Sequence, residues 1–255
     1  MQWEVPLAHS GLGGIAATQQ FVLFGDRDLD DFHDVFRCLD AETGMPVWEV
    51  QRLGIAALDY GNSPRATPLV ADDRVYFQSA HGLLLCVQLV DGTVVWEKNL
   101  RDEFELQGDL PWGYCASPLI VDGKLIVNPG AADASLIALE PVTGNVIWKS
   151  PGAAPSYGSF AVGTFHGRKQ IVGHDAVSLG GWDIVTGKRL WSAKPDNTGD
   201  FNVPTPIVLK DRLLIATENN GARLFDFSHD GTLKMPPVSA NPKLRPDMST
   251  PTVAN

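Results

Sequence analysis

The sequence predicts an all-β propeller of four-stranded antiparallel blades, five of them full, with partial strands at both termini. Three observations predict it. First, Gly and Trp recur four residues apart, at Gly44 and Trp48, Gly92 and Trp96, Gly144 and Trp148, and Gly187 and Trp191. Counted from Trp3, the steps from Trp to Trp are 45, 48, 52 and 43 residues, and a weakened copy, Gly231 with Met235, follows 44 residues later. Second, short β-branched and aromatic runs bounded by turn residues fill the space between these marks. Third, Pro68, Pro118, Pro206 and Pro251 stand near the start of successive units. A period of this length built from short apolar runs is the mark of a repeat array, and no segment has a helical period over a useful length.

The elements follow in order. The first blade, near 12–50, is the least regular. Its A and B strands are expected near Ile15 to Thr18 and Phe21 to Phe24, and a long loop, GDRDLDDFHDVF, then leads to strand C at Arg37. The second blade, 65–98, is the clearest. Strand A is Thr67-Pro68-Leu69-Val70, Asp72-Asp73 turns, and Arg74 to Phe77 is strand B. Strand C is Leu83 to Leu89, Asp91-Gly92 turns, and strand D is Thr93 to Glu97. The third, 115–150, repeats the pattern with a turn at Asp122-Gly123. The fourth, 158–193, carries the turn Thr186-Gly187, and the fifth, 202–236, opens at Thr205-Pro206. Gly between strands C and D supplies the positive φ that closes a tight hairpin. Proline lacks a ladder donor and suits a strand start or an edge, which is what the innermost strand of a blade offers.

The boundary residues fit the same frame. Trp3 is expected in the outer D position of a partial blade, and Thr250 to Val253 are expected to begin an inner strand. Strands B and C of that sixth unit have no counterpart. The expectation is one propeller domain over 1–255, or a fragment of a larger propeller, whose incomplete blade edges invite association with another chain.

Charge and composition exclude several classes. Twenty Lys and Arg against 30 Asp and Glu give a formal net charge of −10. Basic residues form no tract, which argues against nucleic acid and against an anionic membrane surface. No apolar stretch is long enough to span a bilayer, and no signal-peptide pattern opens the sequence. Cys38 and Cys86 hold the same place in successive repeats, where Ala138 stands in the third. They read as small buried fillers, too far apart for a disulfide, and with Cys115 they lack the pairing of a zinc site.

The turn-and-Trp segment resembles the tryptophan-docking motif of quinoprotein-type propellers, roughly Ala-x-Asp-x-x-Thr-Gly-x-x-x-Trp. Cys38, Asp40, Thr43, Gly44 and Trp48 match it apart from Cys for Ala. Ala138 to Trp148 matches with Glu140 in the acidic place, and Asp183, Thr186, Gly187 and Trp191 match again. Cys86 to Trp96 is looser, with Gln88 and Asp91 in place of Asp and Thr. The resemblance covers nearly the whole chain and is similar to that of bacterial PQQ-like repeat proteins, which include relatives of the outer-membrane assembly scaffold lipoprotein. It implies that Trp48, Trp96, Trp148 and Trp191 pack on the neighbouring blade's motif, and it implies a periplasmic or secreted location. PQQ-dependent alcohol dehydrogenases of the same fold carry adjacent cysteines and a Glu/Asn/Asp calcium set. This sequence has no Cys-Cys pair and aligns with no complete set, so no cofactor is expected; PQQ with calcium is the alternative.

Candidate site residues lie on the D–A and B–C loops, which strand direction gathers at one face around the channel mouth. They are Tyr60, Arg65, Trp112, Tyr114, His174, Asp200, Asn202, Glu218 and Asn219. Arg65 could clamp a carboxylate or phosphate, or form an internal ion pair with Asp59 or another loop acid. Tyr60, Trp112 and Tyr114 could stack on a ring or sugar, or close the core beneath the loops. His174-Asp175 could be an oriented acid–base pair, but no matching nucleophile identifies itself, and a structural His174 is the plainer reading. Asp26, Asp28, Asp30, Asp31 and Asp34 invite calcium but fail the EF-hand spacing. A solvated acidic loop paired with Arg27 and Arg37 is expected there, and no metal site. The function expected is a non-catalytic binding or assembly scaffold whose partner is a protein segment or small polar ligand at the mouth. The alternative is a PQQ-dependent alcohol dehydrogenase-like enzyme or a fragment of one.

Overall fold

The computed structural model describes residues 2–55 and 57–252, and it places twenty strands in five four-stranded antiparallel sheets, each in chain order. The first sheet holds β1 (Ala16–Ala17), β2 (Phe21–Arg27), β3 (His33–Asp40) and β4 (Pro46–Leu53). The second holds β5 (Leu69–Ala71), β6 (Arg74–Gln78), β7 (Leu83–Gln88) and β8 (Val94–Asn99). The third holds β9 (Leu119–Val121), β10 (Lys124–Val127), β11 (Leu136–Leu139) and β12 (Val146–Ser150). The fourth holds β13 (Ala161–Phe165), β14 (Arg168–His174), β15 (Leu179–Asp183) and β16 (Arg189–Ala193). The fifth holds β17 (Ile207–Leu209), β18 (Arg212–Thr217), β19 (Gly221–Phe225) and β20 (Ser239–Asn241). This is the arrangement of a quinoprotein-like propeller, and the blades are all-β as expected.

The chain forms two compact units. One comprises the residues up to Ile120 with Glu140–Asn145, the other Val121–Leu139 with the residues from Val146 on. In the first, Leu23, Phe36, Cys38, Trp48, Val75, Phe77 and Leu85 form a buried cluster from two consecutive sheets. In the second, Phe165, Val172, Trp191, Leu213, Phe225 and Phe227 do the same. In each cluster, side chains of consecutive sheets bury one another, so neither sheet buries its apolar surface alone.

The repeat motif has a direct physical reading. Trp48, Trp96, Trp148 and Trp191 stand opposite Cys38, Cys86, Ala138 and Gly181, and each ladder slips by a bulge immediately after that pair. The place opposite Trp therefore takes a small residue, which explains Cys, Ala and Gly there. The three cysteines are free, and burial pushes the Cys38 and Cys86 thiols up to about 11. The next turn is held by its acid: Asp40 Oδ1 accepts from the amides of Glu42 and Thr43 and from the Thr43 hydroxyl, and Asp183 does the same with Val185 and Thr186.

The Gly of that turn meets the Trp of the preceding repeat. Trp3 Nε1 donates to Ala41 O at 3.1 Å, Trp48 to Leu89 O at 2.9 Å, Trp96 to Pro141 O at 2.9 Å and Trp148 to Ile184 O at 3.1 Å. Gly44, Gly92, Gly144 and Gly187 have φ near +72°, and a Cβ on any of them would lie 2.8 Å or less from that indole. Glycine is needed twice over, for the backbone and for the ring. Trp48, Trp148 and Trp191 are buried, while Trp96 is only half-buried. Trp191 differs in partner as well: its Nε1 donates to Gln170 Oε1 at 2.6 Å.

A second contact recurs two residues before strand A. The Thr67 amide donates to Ser117 Oγ at 2.9 Å, Ser159 to Thr205 Oγ1 at 3.3 Å, and Thr205 to Thr250 Oγ1 at 2.9 Å. Strands β5, β9 and β17 begin just after the prolines, whose missing donors then cost the ladders nothing.

Four expectations change. The stretch GDRDLDDFHDVF is not a long loop but the extended β2–β3 hairpin, turning only over residues 28–32. Its charges suggested a loop, yet Asp26, Arg27 and Asp34 are buried and satisfy one another or the turn. The fifth sheet does not end near 236: its outer strand is Ser239–Asn241, because Phe227 and Leu233 bridge to extend the preceding hairpin. The inserted loop from Arg101 to Gly113 opens with a helical turn, α1 (Leu100–Glu103), capped by the Asn99 side chain on the amides of Arg101 and Asp102. At the ends, Trp3 makes the Trp contact without a strand around it. Thr250–Thr252 form no strand, and Val253 lies outside the described residues.

Candidate functional site

Of the nine expected site residues, Tyr60, Arg65, Trp112 and Tyr114 belong to the first unit, and His174, Asp200, Asn202, Glu218 and Asn219 to the second.

In the first unit the loop after β4 is tied down by its own polar groups. The Leu58 amide donates to Asn62 Oδ1, the Asp59 amide to Pro111 O, and Asn62 Nδ2 to Asp31 Oδ2 at 2.7 Å. Arg65 donates to the carbonyls of Asp59 and Gly61. Tyr60, at φ +67° and exposed, lies 6.0 Å from the Trp112 ring. Tyr114 is buried, its amide donates to Ala80 O, and burial pushes its phenol upward. Tyr114 is thus buried, Tyr60 exposed and Trp112 half-buried.

Beside this loop lies a cleft of about 690 Å³. Leu53, Gly54, Ile55 and Leu58 line it with Leu110, Pro111 and Tyr114, and Arg101 and His81 line it as well. Gly54 lets the walls meet: a Cβ there would lie within 2.9 Å of His81, Arg27 and Asp34. Arg27 is fully buried behind it, donating to Asp31 Oδ1 at 2.8 Å, Asp34 Oδ1 at 3.1 Å and Gly54 O at 3.0 Å. Burial raises the Asp34 carboxyl to about 6, against the pull of Arg27. Burial, then the Arg27 and Arg65 charges, lower His81 to about 4, so its ring is neutral at neutral pH. His81 Nε2 is buried without a hydrogen-bond partner. Ile55 and Leu110 were not singled out by the sequence, and His81, on a B–C loop, and Arg101, on the inserted loop, were placed there without being among the expected site residues. The length variation of the Arg101–Gly113 insertion was the signal that pointed here.

The acidic run pairs with Arg27 and Arg37 as expected, but on a hairpin whose Asp26 and Asp34 are buried. Asp31 and Asp34 flank Arg27, Asp26 lies 3.6 Å from Arg37, and Asp28 pairs with His33 at 2.7 Å. Hydrogen bonds from the His33 backbone and ring hold Asp28 down at about 2. Among the described residues no group of three or more His, Cys, Asp and Glu is placed to hold a metal ion.

In the second unit, four of the five residues form one network. Asp200 accepts from the Thr217 hydroxyl at 2.6 Å, the Asn219 amide at 2.8 Å and the Asn220 side chain. Burial works against ionisation, and these bonds hold the carboxyl below its ordinary value. Asn202, at φ +54°, donates from its side chain to Asp200 O, and its own carbonyl accepts from Gly158. Glu218 Oε1 accepts from the Phe201 amide, and burial raises its carboxyl with help from Asp200 and Asp247.

His174 and Asp175 do not face each other as an acid–base pair. Asp175 accepts from the Val177 and Ser178 amides and the Ser178 hydroxyl, and its other oxygen meets Arg189 Nη1 at 2.7 Å. His174 is 5% exposed, and burial, then Arg223, lower it to about 4. Its Nδ1 has no partner, and it borders a small cavity of about 20 Å³ with Asn202 and Arg223.

A PQQ-repeat family model described as outer membrane protein assembly factor BamB matches residues 31–240. Among solved structures, BamB from Moraxella catarrhalis is 20% identical, with a TM-score of 0.61 over 92% of this chain and 65% of that one. A europium-containing methanol dehydrogenase is 12% identical, at a TM-score of 0.63 over 92% of this chain and 52% of that one. The quinohemoprotein alcohol dehydrogenase ADHIIG from Pseudomonas putida HK5 is 14% identical, at 0.64 over 94% and 43%. The chain thus spans less than two thirds of the length of each, and at these identities the likeness is one of fold. No curated protein matches the chain.

Proposed function

The chain belongs to the PQQ-repeat family of the outer membrane protein assembly factor BamB, and from that premise we propose that it is a non-catalytic scaffold that binds a protein segment in the first unit's cleft. The observation that carries this reading is the cleft itself. It has apolar walls at Ile55, Leu58, Leu110 and Pro111, with Arg101, Asp102 and Asn99 at its rim. Leu53 and Ile55 are each 66% exposed, an apolar surface of the kind a partner covers. Charged groups there are already matched: Arg101 donates to Gly108 O, and Asp102 accepts from Asn99. A neutral, partly apolar segment suits such walls better than a highly charged one.

The buried titratable groups support the same reading. Burial keeps His81 and His174 neutral at neutral pH, and Asp34 is bound to the buried Arg27. The family resemblance adds a periplasmic or secreted location, and no helix among the described residues is long and apolar enough to cross a membrane.

The test places a photo-crosslinking residue at Ile55 or Leu110 and exposes the folded protein to a periplasmic extract of its source. One defined protein captured saturably, and lost in Leu58→Asp, supports the reading. Saturable PQQ binding with calcium-dependent alcohol oxidation by the folded chain overturns it in favour of a quinoprotein dehydrogenase.

A further inference from the structure

Charge is divided unevenly between the two units. The first holds 19 Asp and Glu against 7 Lys and Arg, the second 11 against 13. The net negative charge of the chain therefore resides in the unit that carries the cleft. Asp102 and Asp109 line that cleft, the Glu105 amide meets Asp102 O, and the Asp59 amide meets Pro111 O. All four acids are exposed, and Arg65 and Arg101 stand against them. Glu103 nearby is already paired with Lys98 at 2.9 Å. An acidic surplus thus borders the apolar walls at Ile55, Leu58 and Leu110.

The opposite character appears at the end of the second unit. The segment 234–248 reads KMPPVSANPKLRPDM, with Lys234, Lys243 and Arg245 against Asp247. The outer strands β4, β8, β12 and β16 each hold a buried or half-buried Trp, whereas β20 holds no buried residue. Met235, Val238, Leu244 and Met248 are each about half exposed. Apolar side chains left open in this way mark a surface that a partner covers. Four prolines keep the segment extended, so little further ordering is needed for it to bind, and Pro-rich segments suit aromatic-lined grooves. Tyr114 lines the cleft, and the Tyr60–Trp112 pair adjoins it.

We propose that the segment 234–248 of one copy docks in the first unit's cleft of a second copy. Its apolar side chains meet the neutral walls, and its three bases meet the acidic rim. The inference rests on the reading of that cleft as a segment-binding site and names its occupant. Both copies carry the same net charge, but at physiological salt that repulsion is screened beyond about 8 Å, while charges brought into contact still attract. The contact joins unlike surfaces, so each copy offers both halves of it.

The test irradiates the full chain alone, with the photo-crosslinking residue at Ile55, as a mixture of isotopically light and heavy copies. Products joining a light to a heavy copy at 234–248 are expected. Leu244→Asp alters an exposed side chain and should lower their yield roughly tenfold or more, as loss of a central anchor does. A synthetic peptide of residues 234–248 should compete saturably. The same peptide with Lys234→Glu, Lys243→Glu and Arg245→Glu should compete at least about fivefold less well. The mass seen by light scattering should rise with concentration in the wild type and stay at one chain in Leu58→Asp and Leu244→Asp. Crosslinks confined to one copy, a mass of one chain at every concentration, or equal competition by the two peptides would overturn the assignment. Capture of a different protein at Ile55, with no product between copies, would overturn it and leave the segment-binding reading standing. A cleft that captures neither the peptide nor any protein would defeat both.

Discussion

The Trp148 indole donates to the Ile184 carbonyl at 3.1 Å while its ring covers the Cα of Gly187, whose φ is +71°. One side chain thereby fixes both the polar and the apolar half of the contact between consecutive sheets. Trp148→Ala is expected to cost about 3–5 kcal/mol in urea unfolding. Trp148→Phe, which keeps a ring and loses the donor, should cost clearly less. Equal losses for the two would show that packing contributes nothing of its own.

Gly187→Ala should destabilise even though it adds only a methyl, because φ is positive and the indole occupies the space. A loss of about 1–3 kcal/mol is expected. Its near-UV circular dichroism should change as the ring is displaced, and an unaltered spectrum with unaltered stability would refute the close approach.

Asp34→Ala removes one of the two carboxylates from the fully buried Arg27 guanidinium. A cost of about 3–5 kcal/mol is expected, since a buried charge is left short of its partner. Asp30→Ala, in the turn of the same hairpin, serves as the control and should stay within about 0.5 kcal/mol. Matching losses would mean that the acidic run acts as a diffuse surface charge.

Stability should fall in mild acid through His174. Its folded value of about 4 lies below the ordinary 6.5, so between those limits the unfolded chain holds a proton that the folded chain refuses. Its share of stability is complete above 6.5 and is lost as pH falls towards 4, about 3 kcal/mol in all. His81 acts in the same direction, whereas Asp34, raised to about 6, acts in the opposite one over an overlapping window. The informative quantity is therefore the difference between wild type and His174→Gln. That difference should shrink from pH 7 to pH 4, and a constant difference would place His174 in contact with solvent.

Arg65 ties the carbonyls of Asp59 and Gly61 together, so Arg65→Ala should open the loop. Faster amide exchange is expected at Asp59 to Asn62, with little change in the sheets. Protection unchanged at those amides would remove Arg65 from the loop's support.

The fold was legible because its marks are local. Gly and Trp four residues apart, and Pro at the strand starts, report turn geometry and edge position that tertiary packing does not override. The β2–β3 hairpin was illegible for the opposite reason. Asp26, Arg27 and Asp34 read as solvent-facing charges, and only their mutual satisfaction lets a strand carry them inside. Arg65 and Tyr114 were rightly placed on loops, but sequence could not tell a guanidinium aimed at a ligand from one aimed at its own backbone. His81 sits on a B–C loop that the sequence places at the mouth, but nothing in the sequence marks its buried, partnerless Nε2.

Thr205 gives its amide to Thr250 and lends its hydroxyl to Ser159. A residue with both a plug and a socket makes its repeat unit self-compatible with any neighbour built the same way. Duplicating such a unit, or deleting one, leaves no mismatched joint behind. A change at the joint itself alters both of its contacts at once.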